Sequence, residues 1–274
     1  MEMWFTEKHT DYLAAQVKVR RTLHREKSRY QDIAVLDTDE FGRTLVLDGI
    51  IQTTEKDEFI YHEMMAHVPL SAHPDPRRVL VVGGGDGGSV REVLKHPTVE
   101  SVDLVELDER VIAVCREFLP SLSHSLQDSR VRVNIDDGVR YVKEHEGEYD
   151  VIIIDSTDPI GPSIGLFSLP FYSSCERALK DQGMIVAQSE PPFFQPGLVR
   201  EIFNTVSSVF PVTRLFRATV PVYSCWDWSF TAGSKGLDPS QVRSPAPWNT
   251  RYWSPEMHAA SFVLPPFLKD LLGT

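Results

Sequence analysis

The sequence predicts an α/β protein in which a small antiparallel β domain, residues 1–56, precedes a doubly wound parallel sheet, residues 57–274. Apolar and polar residues alternate between residues 16 and 54, as in short strands with one exposed face. From residue 78 onward, runs of β-branched residues alternate with segments of helical periodicity. These two patterns together predict the two-part architecture.

The N-terminal region is predicted to be an antiparallel meander of short strands. Three alternating runs, QVKVRRTL, YQDIAVLDT and RTLVLDGIIQTT, are accompanied by the turn sequences DEFG and DG. The segment that follows, DEFIYHEMMAHVPL at residues 57–70, has the composition and length of a helix. We therefore expect a helix that bridges the meander and the second region.

The second region is predicted to contain five βα units. Alternation of strand-like and helical segments is typical of a parallel sheet with helices on both faces. The five strands are predicted in the runs RVLVVG, SVDLVEL, RVRVNID, YDVIIIDS and MIVAQSE. Two further runs, TRLFRATV and WDWSFTAGS, are expected to close one edge as a hairpin. Such sheets bind ligands beyond the carboxyl ends of their strands, so the residues after each strand are site candidates.

The composition argues against several classes of protein. The net charge of −11 over 274 residues disfavours a nucleic-acid binder, which carries a basic patch, and is compatible with cationic substrates. The N-terminal residues are too charged for a signal peptide, and no run of about 18 apolar residues predicts a membrane span. Cys115, Cys175 and Cys225 lack the spacing of a metal site or a disulfide framework. We therefore expect a cytoplasmic protein with reduced thiols and no bound metal.

A glycine-rich turn follows the first strand of the second region. Gly83, Gly85 and Gly88 match the spacing of the dinucleotide-binding fingerprint, but Asp86 lies inside the turn. Polar side chains, most of them acidic, also follow the other strands, and for any single one a helix cap is the simplest role. They are Glu106, Asp136, Asp137, Asp155, Asp158, Gln188 and Glu190. All of them are expected at the same edge of the sheet.

Asp86 decides which ligand the turn is expected to bind. Glu106 is placed to bind a ribose, and Asp137 with Gly138 an adenine, in NAD enzymes and adenosyl-sulfonium enzymes alike. A carboxylate at position 86 that faces the ligand would repel a pyrophosphate, and also the carboxylate of an ordinary methyl donor. It would attract a donor with a sulfonium and a free ammonium but no carboxylate. Decarboxylated S-adenosylmethionine has these features.

Five segments of the chain form a specific combination: GGGDGGSVREVLKHP, VELDERVI, DDG, VIIIDSTDPIGP and YHEMMAHVPL. Together they resemble the aminopropyltransferase family, most of all the bacterial spermidine synthases, and the resemblance extends over nearly the whole chain. It implies a small N-terminal β domain before a Rossmann-like domain. It also implies aminopropyl transfer from decarboxylated S-adenosylmethionine to an amine such as putrescine, without cofactor or metal. The resemblance further implies a homodimer or homotetramer, often paired through the N-terminal strands.

The resemblance implies a role for each residue near the amine. Transfer requires a neutral amine, whereas an amine with a pKa of about 10.4 is protonated at pH 7. Asp155 is expected to accept the proton and to orient the nitrogen together with Tyr61, while Asp158 holds the amine. The resemblance also implies a mobile gate over both substrates, with its own proline and glycine residues. These are Pro159, Gly161, Pro162 and Gly165.

The resemblance also implies two sets of substrate-binding residues. The donor-binding residues are Gln31, Gln52, His62, Gly83, Gly85, Asp86, Glu106, Asp137 and Gly138. The acceptor-binding residues that it implies are Tyr61, Asp155, Asp158, Tyr223 and Trp228, and Glu190 and Asp227, which differ from the family pattern, are expected to join them.

One stretch departs from the family pattern. Where the family usually has Tyr-Pro-Ser-Gly-x-Trp, this chain has YSCWDW at residues 223–228. Either the change is neutral and the acceptor is putrescine, or Trp226 and Asp227 select another acceptor. Agmatine, with its guanidinium, and spermidine, with an extra ammonium, are the two alternatives.

Functions of other classes are open on the sequence alone. An NAD-dependent dehydrogenase is disfavoured by Asp86 and by the lack of an evident hydride-transfer histidine or lysine. A small-molecule methyltransferase would bind ordinary S-adenosylmethionine as tightly as the decarboxylated form. A non-catalytic module that binds polyamines or nucleosides would have no need for Tyr61, Asp155 and Asp158 together.

Overall fold

The N-terminal part of the chain folds as one antiparallel sheet of five strands in sequence order. The computed structural model describes residues 2–159, 161–223, 226–244, 247 and 249–273. The strands are β1 (Met3–Lys8), β2 (Ala14–Lys27), β3 (Asp32–Thr38), β4 (Gly42–Leu47) and β5 (Ile50–Thr54). The predicted meander is therefore confirmed.

Strand β1 is an addition to the predicted meander. It pairs with β2 so that Phe5 lies opposite Val17. Its apolar residues Met3 and Trp4 are exposed, whereas Glu7 is buried. Because the buried position carries a carboxylate, the alternation that identifies a half-buried strand is reversed here.

The C-terminal part contains a seven-stranded sheet with the order β11-β12-β10-β9-β6-β7-β8. Its strands are β6 (Arg78–Gly83), β7 (Ser101–Glu106), β8 (Val131–Ile135), β9 (Tyr149–Asp155), β10 (Leu179–Gln188), β11 (Val212–Thr219) and β12 (Asp227–Ser234). The strands from β10 to β8 are parallel, and β12 runs antiparallel to both β10 and β11. The βα alternation and the edge hairpin are as predicted.

Helices cover both faces of this sheet. They are α1 (Glu58–Ala72), α2 (Gly88–Val93), α3 (Glu109–Phe118), α4 (Pro120–Ser123), α5 (Gly138–Lys143), α6 (Leu169–Ala178), α7 (Pro196–Ser207), α8 (Pro255–Ser261) and α9 (Pro266–Leu272). The short helices α4, α8 and α9 were not predicted, and each has a proline in its first turn. No helix in the described part of the chain is long and apolar enough to cross a membrane.

Helix α1 joins the two parts of the molecule. It is buried on nearly all sides, and one hydrophobic cluster contains its Met64 and Met65 together with Leu36 and Val46 of the N-terminal sheet. On its outer side, the Glu63 carboxylate accepts three backbone N–H groups of the segment that precedes α8, at 2.7–2.8 Å. A domain division at residue 56 stays a prediction. Helix α1 therefore packs against both the N-terminal sheet and the strands of the seven-stranded sheet, and it holds the two together.

Candidate active site

The carboxyl ends of β6 to β10 open onto one cavity of about 800 Å³, which the N-terminal sheet covers from one side. All of the predicted donor-binding residues line this cavity. Six of the seven predicted acceptor-binding residues also line it: Tyr61, Asp155, Asp158, Glu190, Tyr223 and Trp228. The structure therefore brings the two predicted sets together, although their individual roles stay predictions.

The glycine turn after β6 lets other site residues approach closely. Gly83 has a φ of +81°, and a Cβ atom there would lie 2.2 Å from the backbone oxygen of Asp155. A Cβ atom at Gly85 would lie 2.8 Å from Oε2 of Glu106. The backbone contact and the positive φ exclude a side chain at Gly83, whereas a side chain at Gly85 would displace the Glu106 carboxylate. The glycines thus pack the turn against two neighbouring strand ends, in addition to leaving room for a ligand.

Asp86 faces the cavity, as the argument for its role required. Its Oδ1 accepts the backbone N–H of Gly88 at 2.7 Å, and its Oδ2 lies 3.5 Å from Nε2 of His62. Burial acts to raise the pKa of Asp86, but the neighbouring His62 and the Gly88 N–H outweigh it and lower the pKa below its ordinary value. Asp86 is therefore a carboxylate, with Oδ1 bound by the backbone and Oδ2 in a long ion pair with His62.

His62 lies between two carboxylates in the interior. Its Nδ1 is 2.6 Å from Oε2 of Glu58, which also accepts a hydrogen bond from Nη2 of Arg91 at 2.8 Å. Burial acts to lower the pKa of His62, but Asp86 and Glu58 raise it well above its ordinary value. The imidazolium lies closer to Glu58, at 2.6 Å, than to Oδ2 of Asp86, at 3.5 Å, so the ion pair with Asp86 is the longer of the two.

Asp155 is the polar centre of the cavity. Its Oδ1 accepts the Tyr61 hydroxyl at 2.9 Å, and its Oδ2 accepts the Ser89 hydroxyl at 2.6 Å. Burial, together with the nearby Asp86 charge, raises the pKa of Asp155 above its ordinary value. A carboxyl group with a raised pKa and two fixed hydrogen bonds is suited to accept a proton from a bound group.

The residues predicted to bind a ribose form a network with one that the sequence analysis missed. Oδ2 of Asp108 accepts hydrogen bonds from the Ser28 hydroxyl at 2.6 Å and from Nε2 of Gln31 at 3.0 Å. The Asp108 N–H donates to Glu106, and burial raises the pKa of Glu106 to about 7. Asp108 also caps α3, which is the only role that its sequence context suggested.

Asp137 has the capping role that was the simplest reading for a single acid. Its Oδ1 accepts the N–H groups of Val139 and Arg140 at the start of α5. Gly138 lies so close to Val82 of β6 that a Cβ atom would come within 2.5 Å of its Cγ1. Both predicted residues nevertheless line the cavity, and the capped end of α5 forms part of its wall.

A second group of carboxyl residues lies at another side of the cavity. Burial and the neighbouring Asp158 raise the pKa of Glu190 to about 9. Burial also raises the pKa of Glu7 on β1 to about 7, and Asp158 adds to that shift. Glu190 has a φ of 69°, and its carbonyl oxygen accepts the Ser229 hydroxyl at 2.6 Å. Glu7 was missed because β1 was missed.

The structure describes Trp226 and Asp227 of the stretch that departs from the family pattern, and neither lines the cavity. Asp227 does not line it but pairs with Arg217, at 2.8 Å between Oδ2 and Nη1. Trp226 is 64% exposed and has a φ of 55°. This placement corrects the prediction that Asp227 binds the acceptor, because its side chain points to the opposite face of β12 from Trp228. Cys225 lies outside the described residues.

Tyr223 and Trp228 do line the cavity. The Tyr223 hydroxyl donates to the backbone oxygen of Gln52 at 2.7 Å, which ties this wall to β5. The rings of Tyr223 and Trp228 lie 4.5 Å apart between centroids. These contacts give the cavity a rigid aromatic wall beside Tyr61.

The predicted gate lies next to the cavity. Gly161, Pro162 and Gly165 belong to a 3₁₀ helix, Gly161–Phe167, whose Ser163 and Leu166 line the cavity. The movement of this segment stays a prediction. Among the described residues, no group of three or more His, Cys, Asp or Glu side chains is arranged to hold a metal ion.

Comparisons with known proteins agree with this arrangement. A model described as "Spermine/spermidine synthase domain" matches residues 58–242, and one described as "Spermidine synthase tetramerisation domain" matches residues 3–55. A polyamine aminopropyltransferase from Desulforudis audaxviator (strain MP104C) is 54% identical, over 98% of this chain and 99% of the relative. One from Thermoanaerobacter sp. (strain X514) is 52% identical, over 99% of both.

Solved structures show the same fold. A spermidine synthase in complex with the transition state analogue AdoDATO has a TM-score of 0.96 and 42% identity, covering 99% of this chain and 95% of that one. The spermidine synthase from Thermotoga maritima has a TM-score of 0.94 and 41% identity, covering 99% and 94% respectively.

The fold is that of S-adenosylmethionine-dependent enzymes, and the similar proteins show that the chain is a transferase. The family matches and the relatives define it more closely. The chain belongs to the spermine/spermidine synthase family. This confirms the resemblance stated from the sequence, and it replaces the NAD-dependent dehydrogenase and methyltransferase alternatives.

Proposed function

We propose that this chain transfers the aminopropyl group of decarboxylated S-adenosylmethionine to putrescine, giving spermidine and methylthioadenosine. The observation that carries the proposal is the position of Asp155, whose carboxylate lies between Tyr61 and the Asp86 turn in one cavity. The proton acceptor and the proposed donor site are thereby placed within reach of one another. The family assignment and the AdoDATO complex of a similar spermidine synthase support the same reaction.

The donor is proposed to lie along the edge from β6 to β8. Glu106 and Gln31 would bind its ribose, while Asp137 and Gly138 form the adenine wall. The aminopropyl ammonium would meet the Asp86 carboxylate, which lines the cavity. This orientation directs the carbon next to the sulfonium towards Asp155. The leaving group needs no protonation by an acid, because the sulfonium leaves as a neutral thioether.

The acceptor nitrogen is proposed to be activated at Asp155. An amine of pKa about 10.4 is neutral only about once in a few thousand at pH 7, a cost of about 4–5 kcal/mol. Asp155 accepts the proton or passes it to water, and Tyr61 fixes the direction of the lone pair. Holding the nitrogen in line with the reacting carbon removes much of the remaining barrier.

The far end of the acceptor is proposed to lie at Asp158, Glu190 and Glu7. A diamine carries its second charge on a short apolar chain, and the aromatic wall of Tyr223 and Trp228 suits that chain. The three carboxyl groups suit the terminal ammonium. This arrangement favours putrescine, because Asp227, the residue proposed to select agmatine or spermidine, is engaged by Arg217 instead.

An acceptor panel tests this proposal and the role of the unusual stretch together. Putrescine, cadaverine, agmatine and spermidine are supplied in turn with decarboxylated S-adenosylmethionine, and methylthioadenosine release and product mass are followed. We expect putrescine to give the highest kcat/KM. The variants Trp226→Gly and Asp227→Asn should keep the same ranking, with changes below about threefold. A switch of preference in either variant would assign acceptor selection to that stretch, and no release with any amine would refute aminopropyl transfer.

Glu190 is predicted to link amine binding to pH. Its raised pKa means that the free protein carries a largely neutral Glu190 at pH 7 and an increasingly charged one towards pH 9. An ammonium binds the charged form, so the KM for putrescine should fall between pH 7 and pH 9. In Glu190→Gln the KM at pH 9 should rise about tenfold, since a hydrogen bond to a charged group is lost.

Steady-state kinetics at saturating donor, at half-unit intervals between pH 7 and pH 9.5, measures this dependence. Glu201→Gln on the exposed side of α7 is the matched control. Parallel KM profiles for the Glu190→Gln variant and the wild type would show that Glu190 does not meet the ammonium.

We also propose that the chain works as two or four copies in the cytoplasm. The N-terminal sheet matches a tetramerisation domain and exposes Met3, Trp4, Tyr12 and Leu13. Such a group of exposed apolar side chains is typical of an interface between subunits. The buried free thiols of Cys115 and Cys175 are compatible with a reducing compartment. Light scattering on the purified protein distinguishes a dimer from a tetramer.

A further inference from the structure

Ser89 makes an unusual contact for a helical serine. It lies in the first turn of α2 and is fully buried. A serine inside a helix often returns its hydroxyl to a carbonyl of the preceding turn. Here the hydroxyl instead donates across to Oδ2 of Asp155 on β9, at 2.6 Å. The helix that begins at the glycine turn is thereby bonded directly to the proposed proton acceptor.

This contact divides the two oxygens of Asp155 between two donors. Tyr61 donates to Oδ1 and Ser89 to Oδ2. Tyr61 belongs to α1, which packs against β9, and Ser89 belongs to α2, which packs against α1 and β6. Both donors are therefore held in place, and together they fix the plane of the carboxylate. Each oxygen keeps a further lone pair, and the one that faces the cavity is free to accept a hydrogen bond from an amine.

We propose that Ser89 is a positioning residue for amine activation, which holds the Asp155 carboxylate in its ionised form and in the orientation that accepts the amine proton. This inference rests on the proposed aminopropyl transfer and adds a residue to it. Ser89 itself does not line the cavity. Its expected signature is a displaced pH dependence rather than weaker binding of the donor.

The surroundings of Asp155 give the direction of that displacement. Burial and the Asp86 carboxylate favour the protonated form of Asp155, whereas His62, Ser89 and Tyr61 favour the ionised form. Tyr223, also close by, is an uncharged phenol whose pKa is raised by burial. Removing the Ser89 hydroxyl takes away one of the three stabilising groups. The pKa of Asp155 must then rise. As the pH is lowered, the variant must therefore lose activity at a higher pH than the wild type does.

The test compares Ser89→Ala, Ser89→Cys and Ser89→Thr with the wild type. In Ser89→Ala, the acid limb of the pH profile of kcat, measured at saturating putrescine, should move upward by about one unit. The activity at pH values below that limb should fall about tenfold and recover above it, with the donor KM within twofold. Ser89→Cys, a weaker donor of similar size, should give a smaller shift. Ser89→Thr keeps a hydroxyl and should restore the wild-type profile.

Two results would overturn the inference: an acid limb that stays in place in Ser89→Ala, or an equal loss at every pH with no difference between alanine and threonine. A titration of the Asp155 carboxyl carbon by NMR, assigned with Asp155→Asn, gives the same shift without turnover. If Ser89→Ala folds poorly, the same NMR titration can be carried out on Ser89→Cys, and it still tests the contact between Ser89 and Asp155. Failure of aminopropyl transfer itself appears separately, as no methylthioadenosine from the wild type with any amine.

Discussion

Replacing Asp155 by asparagine is expected to lower kcat about 10³-fold while changing the donor KM by less than about threefold. Asparagine has nearly the same shape and can still accept the Tyr61 or Ser89 hydroxyl, so the packing of the cavity is kept. It cannot accept a proton, and general-base assistance from a positioned side chain contributes about 10²–10⁴-fold. The charge that holds the acceptor ammonium close to the reacting carbon is lost as well.

Single-turnover measurements with saturating donor and putrescine separate this loss from product release. Asp270→Asn on α9, an exposed carboxylate far from the cavity, should retain wild-type kcat. Tyr61→Phe should retain more activity than Asp155→Asn, because the phenol orients the nitrogen without taking its proton. A kcat for Asp155→Asn within tenfold of the wild type would assign proton removal to water or to another carboxylate.

The carboxylate edge was predictable because parallel strands deliver their final residues to the same side of a sheet. The five βα units could be read from periodicity alone, so Asp86, Glu106, Asp137, Asp155 and Glu190 could be placed together before any coordinates were known. The residues that hold them in place are different. Ser89 and Asp108 lie at the beginnings of helices, where a serine or an aspartate is commonly a helix cap. Only the folded structure shows which distant segments of the chain they contact.

The two errors at the acceptor end have separate physical causes. Glu7 was missed because β1 buries its carboxylate and exposes its apolar residues, which reverses the signal of a strand. Asp227 was placed in the site because it adjoins Trp228 in sequence. Consecutive residues of a strand point to opposite faces, and of these two only Trp228 lines the cavity. Applying that rule to the predicted strand WDWSFTAGS would have removed Asp227 from the site.

Asp86 is expected to choose the donor as well as to bind it. Asp86→Asn should weaken binding of decarboxylated S-adenosylmethionine about 10²-fold, since an ammonium loses its partner in a partly buried site. The same change should strengthen binding of ordinary S-adenosylmethionine, because a carboxylate on the ligand is no longer repelled.

Direct binding measurements with both forms of the donor test this reversal, and Asp137→Asn is the matched comparison within the same cavity. Asp137 lies on the proposed adenine side, which the two ligands share, so its loss should weaken both of them equally. The dissociation constant of ordinary S-adenosylmethionine divided by that of the decarboxylated form should therefore fall by at least 10²-fold in Asp86→Asn. The same quotient should stay constant in Asp137→Asn. If Asp86→Asn weakens the binding of both ligands equally, Asp86 shapes the turn through its contact with Gly88 and does not distinguish the charges of the two donors. Discrimination would then have to come from His62 or from the acceptor side of the cavity, where Asp155 is the nearest remaining carboxylate.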